Sequence, residues 1–226
     1  MVVTYDRQTI NSPNPLARFS HRSRTSKSVN LACECLPEGG TVVDFGAGTG
    51  LMLCKLGDVR PDVKLLAISR YMPPTPDPRL RYLADLRDAA GQSVDLVTAL
   101  EVCEHLADAE LDDFLATTAM LLRDGGFLIV SVPIMIGPVV IIKEINRMLL
   151  HRRISDMSFG EMARHVLGLQ LTRAENRGTS HKGFDYRWLR RQLQQGFLIV
   201  REFYSPLPLP WWLNSQAFFI CQPKKP

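Results

Sequence analysis

The chain has 226 residues, of which 46% are hydrophobic and 22% are charged. These values are those of an ordinary globular domain, and they exclude a disordered or fibrous chain. The length fits one domain over residues 1–226. The formal net charge is only +4 and the basic residues are scattered, so solvated surface explains them better than a nucleic-acid interface does.

The start of the chain lacks an uninterrupted apolar run after a basic patch. We therefore expect no signal peptide and a cytoplasmic location. The longest apolar stretch, over 127–142, is broken by polar, glycine and proline residues and is shorter than the ~20 apolar residues that span a bilayer. The five cysteines do not fall in a metal-binding spacing, so we expect free thiols and no metal site.

The predicted elements begin with an extended or lid segment over about 1–25, which contains two X-Pro steps, followed by a helix over 26–36. The β-rich run over 41–45 ends abruptly in glycines and is the first predicted strand. A helix over 51–56 comes next. Four more strands are predicted, over 63–68, 80–83, 94–99 and 127–132, with a helix over 109–122 before the last. Because each parallel crossover needs a helix-sized connection, this alternation predicts a parallel sheet covered on both faces.

The alternation of strands and helices changes after Pro133. A helical acceptor-side insertion is predicted over about 134–183, and its helices are predicted over 138–150 and 158–167. Two strands close the chain, over 197–204 and 216–221, and a proline-rich segment joins them. The sequence therefore predicts a terminal β-hairpin that completes the sheet.

The first strand is followed by a glycine-rich turn with the sequence DFGAGTG, residues 44–50. Glycines let a backbone approach a ligand closely and adopt conformations that a side chain forbids. In an open α/β sheet, ligands lie beyond the carboxyl ends of the strands, where the strand order reverses. The turn reads GxGxG rather than the dinucleotide pattern GxGxxG, and Asp44 precedes its glycines. A carboxylate there would repel a pyrophosphate, but it suits a ligand with a cationic amino-acid end.

Three motifs follow one another in order: VVDFGAGTG, VDLVTALEVCEHL and LLRDGGFLIVSVP. Together they resemble the class I S-adenosylmethionine-dependent methyltransferases, over about Thr41 to Pro133. The resemblance implies an α/β, Rossmann-like fold: a seven-stranded, mostly parallel sheet with helices on both faces, a C-terminal antiparallel β-hairpin and a helical lid insertion after strand five. It also implies methyl transfer from S-adenosyl-L-methionine, by in-line displacement, to an oxygen or nitrogen nucleophile of a small or lipid-like acceptor.

The resemblance also implies which residues bind the cofactor. The glycines of the turn border its methionine part, and Asp44 organises the amino end. Asp85 and Leu86, after the third strand, match the place of the adenine contact, while residues after the fourth strand border the methionine moiety. The full predicted set is Asp44, Gly46, Ala47, Gly48, Gly50, Ala67, Ser69, Asp85, Leu86, Leu100, Glu101 and Val102.

One position departs from the family pattern. At the end of the second strand the family usually carries an acid that accepts hydrogen bonds from both ribose hydroxyls, and Ala67 occupies that place here. Losing such a pair costs about 2 to 3 kcal/mol, or roughly 30- to 150-fold in affinity, unless Ser69 or a loop group compensates.

Two histidines are the predicted catalytic residues. Methyl transfer needs few side chains, because the protein mainly aligns the acceptor, excludes water and, for a hydroxyl, removes a proton. His105 lies just past the fourth strand and suits a base or an acceptor anchor, with packing or capping as its alternative role. His181 lies in a loop that could cover the acceptor, and a solvent-exposed loop is the alternative.

The segment after the fifth strand indicates the kind of acceptor. It is apolar over 134–142 and mixed apolar and basic over 143–153, which suits a lid or an interfacial helix; a helix buried against the sheet is the alternative. We expect a lipid-like, aromatic or glycolipid acceptor rather than nucleic acid, and peripheral membrane contact. A cofactor-binding protein without catalysis and a nicotinamide dehydrogenase are the alternative functions, and the missing third glycine opposes the dehydrogenase.

Overall fold

The structure is a computed structural model, and it describes residues 15–70, 76–138, 140–141, 159–169 and 183–224. Seven strands and five α-helices form within these residues. The strands are β1 (Thr41–Phe45), β2 (Lys64–Ile68), β3 (Leu80–Leu83), β4 (Val94–Leu100), β5 (Leu122–Pro133), β6 (Phe197–Ser205) and β7 (Gln216–Pro223). The helices are α1 (Pro15–Cys35), α2 (Leu51–Val59), α3 (Asp108–Leu121), α4 (Phe159–Val166) and α5 (Tyr186–Gly196).

The strands form one sheet in the order β3-β2-β1-β4-β5-β7-β6. Strands β1 to β5 pair in parallel, whereas β7 runs antiparallel to both β5 and β6. The predicted seven-stranded, mostly parallel sheet with a C-terminal antiparallel hairpin is thus confirmed. The strand order reverses between β1 and β4, so a topological switch point lies where these strands end. We call this side of the sheet, where β1 to β5 have their C-terminal ends, the carboxyl edge.

Apolar side chains fill a core on each face of the sheet. Helices α1 and α2 cover one face, where Leu53 and Leu96 are fully buried. Helices α3 and α5 cover the other face, where Phe114 and Leu189 are buried. Because parallel strands covered on both faces read as continuous apolar runs, the sequence predicts β1 to β4 close to their observed bounds. Strand β5 begins at Leu122 rather than at residue 127, so its predicted start is wrong.

Two helices differ from the predicted elements. Helix α1 begins at Pro15, so residues 15–25 are helical and the extended conformation predicted for them is wrong. Proline is well accommodated in the first turn of a helix, and the polar residues of this segment give no apolar periodicity to read. Helix α5 is absent from the predicted elements, although Asp185 caps its N-terminus and Leu189 and Leu193 bury one face.

The predicted insertion over 134–183 lies largely outside the described residues. Within it, α4 matches the helix predicted over 158–167. Most of the helix predicted over 138–150, and the segment 1–14, lie outside the described residues. The lid therefore stays a prediction.

Candidate functional site

The glycine turn after β1 is shaped by its backbone. Gly46, Gly48 and Gly50 all have positive φ angles, of 80°, 54° and 77°. Residues other than glycine adopt such angles only at a cost in free energy. The amides of Gly46 and Ala47 both donate to the carbonyl oxygen of Ile68, each at 2.9 Å. These bonds tie the turn to the end of β2 and hold it at the carboxyl edge.

Neighbouring side chains approach the turn too closely for anything larger than glycine. A Cβ at Gly46 would lie 2.4 Å from Cγ2 of Val102, and a Cβ at Gly50 would lie 2.5 Å from Cδ2 of Leu80. The Ser69 hydroxyl donates to the carbonyl oxygen of Gly48 at 2.9 Å. Val102 and Ser69, both predicted cofactor residues, thus support the turn from outside.

Asp44, the next-to-last residue of β1, pairs with Thr98 of β4 at the switch point. Its side chain is buried, and its Oδ1 accepts a 2.6 Å hydrogen bond from the Thr98 hydroxyl. Burial raises the pKa of the Asp44 carboxyl to about 7, and the Thr98 bond opposes this rise only in part. A buried carboxyl with one neutral partner favours a cationic ligand group that would complete its pairing.

Helix α1 supplies a wall of the site that the sequence analysis does not include. One cavity joins this helix to the glycine turn and to the end of β4. It is lined by His21, Arg24, Thr25, Ser28, Asp44, Gly46, Ala47, Thr49, Leu51, Met52 and Leu100. The polar run HRSRTSK makes α1 invisible to apolar periodicity, and it is also the signal that could have found this wall: His21, Arg24 and Thr25 of the run line the cavity.

Arg24 connects α1 to the turn after β4. Its Nη1 lies 3.2 Å from Oε2 of Glu101, and its Nη2 donates to Nδ1 of His21 at 2.6 Å. Because an arginine can only donate, His21 carries its proton on Nε2. Burial, helped by the neighbouring Arg24 charge, lowers the pKa of His21 to about 4, so the imidazole is neutral and a single cation faces the cavity from this helix.

The polar atoms around the cavity fit the amino-acid end of S-adenosylmethionine. Arg24 offers a cation for a carboxylate, and Asp44 offers an acid for an ammonium group. Within the described part of the chain, the Ser28 hydroxyl and Oε1 of Glu101 are buried without a hydrogen-bond partner, as expected of groups that bind a ligand. Glu101 also has a φ of 59° and is the one residue other than glycine with a positive φ in the described part of the chain, a backbone strain typical of functional sites.

Four of the predicted cofactor residues line this cavity: Asp44, Gly46, Ala47 and Leu100. Ala67 is fully buried in the core on the α1 face, next to Asp44 in the sheet. Asp85 caps a short 3-10 turn by accepting from the Arg87 amide at 2.9 Å, and Leu86 is buried in the other core. The adenine and ribose contacts expected of Asp85, Leu86 and Ala67 therefore stay predictions.

The two predicted catalytic histidines have different outcomes. His105 lies at the carboxyl edge, with 34% of its side chain exposed and its Nε2 4.0 Å from Oε1 of Glu104. Its role stays a prediction. His181 lies outside the described residues.

The sequence and fold match known methyltransferases. A family profile described as a methyltransferase domain matches residues 17–194. The ubiquinone biosynthesis O-methyltransferase of Sinorhizobium medicae (strain WSM419) is 34% identical over 104 residues, which are 42% of this chain and 41% of that protein. The chain thus spans about two fifths of the length of the curated relatives it matches.

Solved structures share the fold at low sequence identity. The PH0226 protein from Pyrococcus horikoshii OT3 superposes with a TM-score of 0.59 at 14% identity, over 98% of this chain and 97% of that one. The N-methyltransferase NodS from Bradyrhizobium japonicum WM9, in complex with S-adenosyl-l-homocysteine, superposes with a TM-score of 0.55 at 14% identity, over 95% and 90%. Because the family profile spans most of the chain and includes the glycine turn and α1, this chain belongs to the methyltransferase domain family, and its cofactor is S-adenosylmethionine.

Proposed function

We propose that this chain transfers the methyl group of S-adenosylmethionine to a hydroxyl oxygen of an apolar small molecule, either aromatic or lipid-like. The printed function of the Sinorhizobium relative, an O-methyltransferase of ubiquinone biosynthesis, supports an oxygen nucleophile. The observation that carries the apolar character of the acceptor is a set of exposed hydrophobic side chains at the carboxyl edge.

These side chains belong to the loop between β6 and β7, and we call them the apolar rim. The rim consists of Leu207, Leu209, Trp212 and Leu213, each about two fifths exposed. The loop is held in shape by Asn214, which is fully buried. The Asn214 side chain accepts from the Leu207 amide at 2.8 Å and donates to the Leu209 carbonyl at 2.6 Å. The rim residues are thus exposed on an ordered loop.

The rim adjoins the segment that follows β5. Trp211 packs against Gly137, where a Cβ would lie 2.6 Å from its ring, and its ring centroid is 6.3 Å from that of Tyr186 at the start of α5. Ile141, beyond Gly137, is also exposed. Large exposed apolar patches mark binding surfaces, and this patch lies at the carboxyl edge, as do the glycine turn and the end of β4 that line the cofactor cavity.

The same rim supports contact with a membrane surface, because tryptophan and leucine are favoured at the boundary between lipid and water. None of the helices described is long and apolar enough to cross a membrane. We propose a cytoplasmic protein that takes its acceptor from such a surface.

The chain's own residues have a limited task in this reaction. The bound cofactor supplies an electrophilic methyl group on a positively charged sulfur. Asp44 and Arg24 would hold its amino-acid end and so orient it, while the glycine turn lets the backbone approach. Helix α1 would exclude water from this end of the site.

The experiment is a transfer assay with the purified full chain and methyl-labelled S-adenosylmethionine. The acceptors are catechol, catechol with a ten-carbon alkyl chain, and the matching alkyl aniline. We expect label on oxygen, with a lower KM for the alkylated catechol than for catechol. Transfer to the aniline alone, or to none of the three, would overturn the proposal.

A further inference from the structure

His165 of α4 has one ring nitrogen in a hydrogen bond, and the other has no hydrogen-bond partner among the described residues. The side chain is 1% exposed. Its Nδ1 lies 2.6 Å from the carbonyl oxygen of Met135, and its own carbonyl accepts from the Gly137 amide at 2.8 Å. Because a carbonyl oxygen can only accept, Nδ1 carries the proton. In the neutral ring Nε2 is then a hydrogen-bond acceptor.

That Nε2 atom is buried and has no hydrogen-bond partner among the residues that the structure describes. Buried polar atoms in native proteins are nearly always paired, and an exception calls for an explanation. The bond from Nδ1 to Met135 fixes both the tautomer and the ring orientation, which is how proteins commonly prepare a histidine for proton transfer. A ligand hydroxyl would give Nε2 the donor that it lacks.

The position of His165 agrees with an acceptor site. Met135 lies two positions beyond Pro133, the last residue of β5. Strand β5 runs beside β4, whose final residue Leu100 lines the cofactor cavity. The surroundings are apolar, since Ile134, Ile136 and Val140 are buried in the adjoining core. A hydroxyl on an apolar molecule would supply the missing donor to this one acceptor atom in buried, apolar surroundings.

We propose that Nε2 of His165 is the general base for the acceptor hydroxyl, an inference that rests on the proposed function. As the hydroxyl proton moves to Nε2, the oxygen forms its bond to the methyl carbon. The bond from that carbon to sulfur breaks, and its electron pair stays on sulfur. The imidazolium left behind returns its proton to solvent after the product leaves.

The matched test variants are His165→Asn and His165→Gln. An asparagine amide can replace Nδ1 as the donor to Met135 while leaving nothing at the Nε2 position, and a glutamine amide reaches the Nε2 position instead. Both variants are assayed as full chains with phenols of graded acidity, and melting curves check that they fold. Arg164→Gln, a change at the exposed neighbour on the same helix, is the control.

For His165→Asn we expect kcat with weakly acidic phenols to fall about 100-fold, the usual contribution of a general base. The loss should be less than about fivefold with a nitrophenol that is already ionised, since no proton remains to be removed. If kcat fell by the same factor with every phenol in the series, His165 would have a structural role and the proposal would be overturned. Unchanged rates would overturn it as well.

A binding measurement separates this inference from the proposed function. The probe is 4-nitrocatechol, whose absorbance reports ionisation of its hydroxyl, added with S-adenosylhomocysteine. We expect the wild type to shift the absorbance towards the ionised form and His165→Asn not to do so. If the wild type methylates no phenol, the proposed function fails. The absorbance measurement still tests whether His165 accepts the hydroxyl proton, because equal spectra in the wild type and both variants would reject that role.

Discussion

The glycine turn after β1 and the segment after β5 lie on the same edge of the sheet, but they are built in different ways. The turn is held by backbone bonds, with the amides of Gly46 and Ala47 on the Ile68 carbonyl. The segment after β5 is organised by side chains, with His165 on the Met135 carbonyl and Trp211 against Gly137. The glycine turn therefore depends on where side chains are absent, and the segment after β5 on which side chains are present.

This difference has a consequence for variation. The glycine turn tolerates almost no substitution of its glycines, whereas a site made of side chains tolerates substitution of one residue at a time. Variants in the turn should therefore alter cofactor affinity, and variants near the apolar rim should alter acceptor kinetics. The predictions below test that separation, beginning with the largest effect.

Asp44→Asn should weaken cofactor binding about 100-fold at pH 8. A buried acid that loses its charge can no longer pair with the ligand's ammonium group, and breaking a buried pair costs roughly 3 kcal/mol. The Thr98 hydroxyl can still donate to the new amide oxygen, so the fold should be kept. Calorimetric titration with S-adenosylmethionine measures the effect, and an affinity within a factor of three of wild type would contradict the assignment of Asp44.

The same carboxyl predicts two opposite pH trends. The pKa of Asp44 is about 7 in the folded chain and about 4 when unfolded, so the folded chain binds more protons between these values. Wild-type stability should fall as pH rises through this window, and Asp44→Asn should gain more in Tm at pH 8 than at pH 5. Cofactor affinity should change the other way, weakening about tenfold from pH 8 to pH 6 as the carboxylate is protonated. If stability and cofactor affinity both rose or both fell with pH, titration of Asp44 would not link them.

Gly46→Ala should weaken cofactor binding about 30-fold, the equivalent of roughly 2 kcal/mol. The new Cβ would meet Cγ2 of Val102 at 2.4 Å, and the φ of 80° adds backbone strain. Gly39→Ala is the matched control, since its φ of 66° is similar and nothing lies within 4 Å. Adding Val102→Ala should restore part of the affinity. Equal losses of cofactor affinity in Gly46→Ala and Gly39→Ala would show that backbone strain alone, without the contact with Val102, lowers the affinity.

The two sides of the edge also differ in how far the sequence predicts them. The turn can be predicted from the sequence because its glycines, its acid and the apolar strand before it are consecutive. The side chains that support the turn from outside can be predicted only through the family resemblance, since Val102 contacts Gly46 from the turn after β4. Nothing local at Val102 shows that it blocks a Cβ fifty-six positions earlier in the chain.

The rest of the site is not predictable from local pattern. Arg24 and His21 belong to the polar N-terminal half of α1, which has no apolar stripe, so periodicity cannot show that they line a cavity. His165 lies in a helix that is predicted close to its bounds, yet its importance depends on the bare Nε2 atom, which only three-dimensional packing reveals. Sequence reasoning finds residues whose role is set by their neighbours in the chain and misses those whose role is set by neighbours in space.

Arg24→Gln should weaken cofactor binding about fivefold, because a partly buried ion pair is worth about 1 kcal/mol. Its Nη1 is 3.2 Å from Glu101, so the change also frees α1 from the turn after β4. Arg22→Gln is the control, since Arg22 is exposed two positions earlier on the same helix. Titration of both variants checks the prediction. A similar loss in both would point to the general charge of α1 instead of the contact made by Arg24.

The smallest predicted effect concerns the apolar rim. Trp212→Ser should raise the KM for an alkylated catechol about threefold, because part of one aromatic side chain no longer contacts the acceptor. Leu198→Ser is the matched control: Leu198 is 57% exposed, but it lies near the start of β6, at the end of that strand away from the rim. Cofactor affinity should stay unchanged in both, because neither residue lines the cofactor cavity. If Trp212→Ser weakens cofactor binding as much as it raises KM, then the two sides of the edge are one coupled site and the separation argued above is wrong.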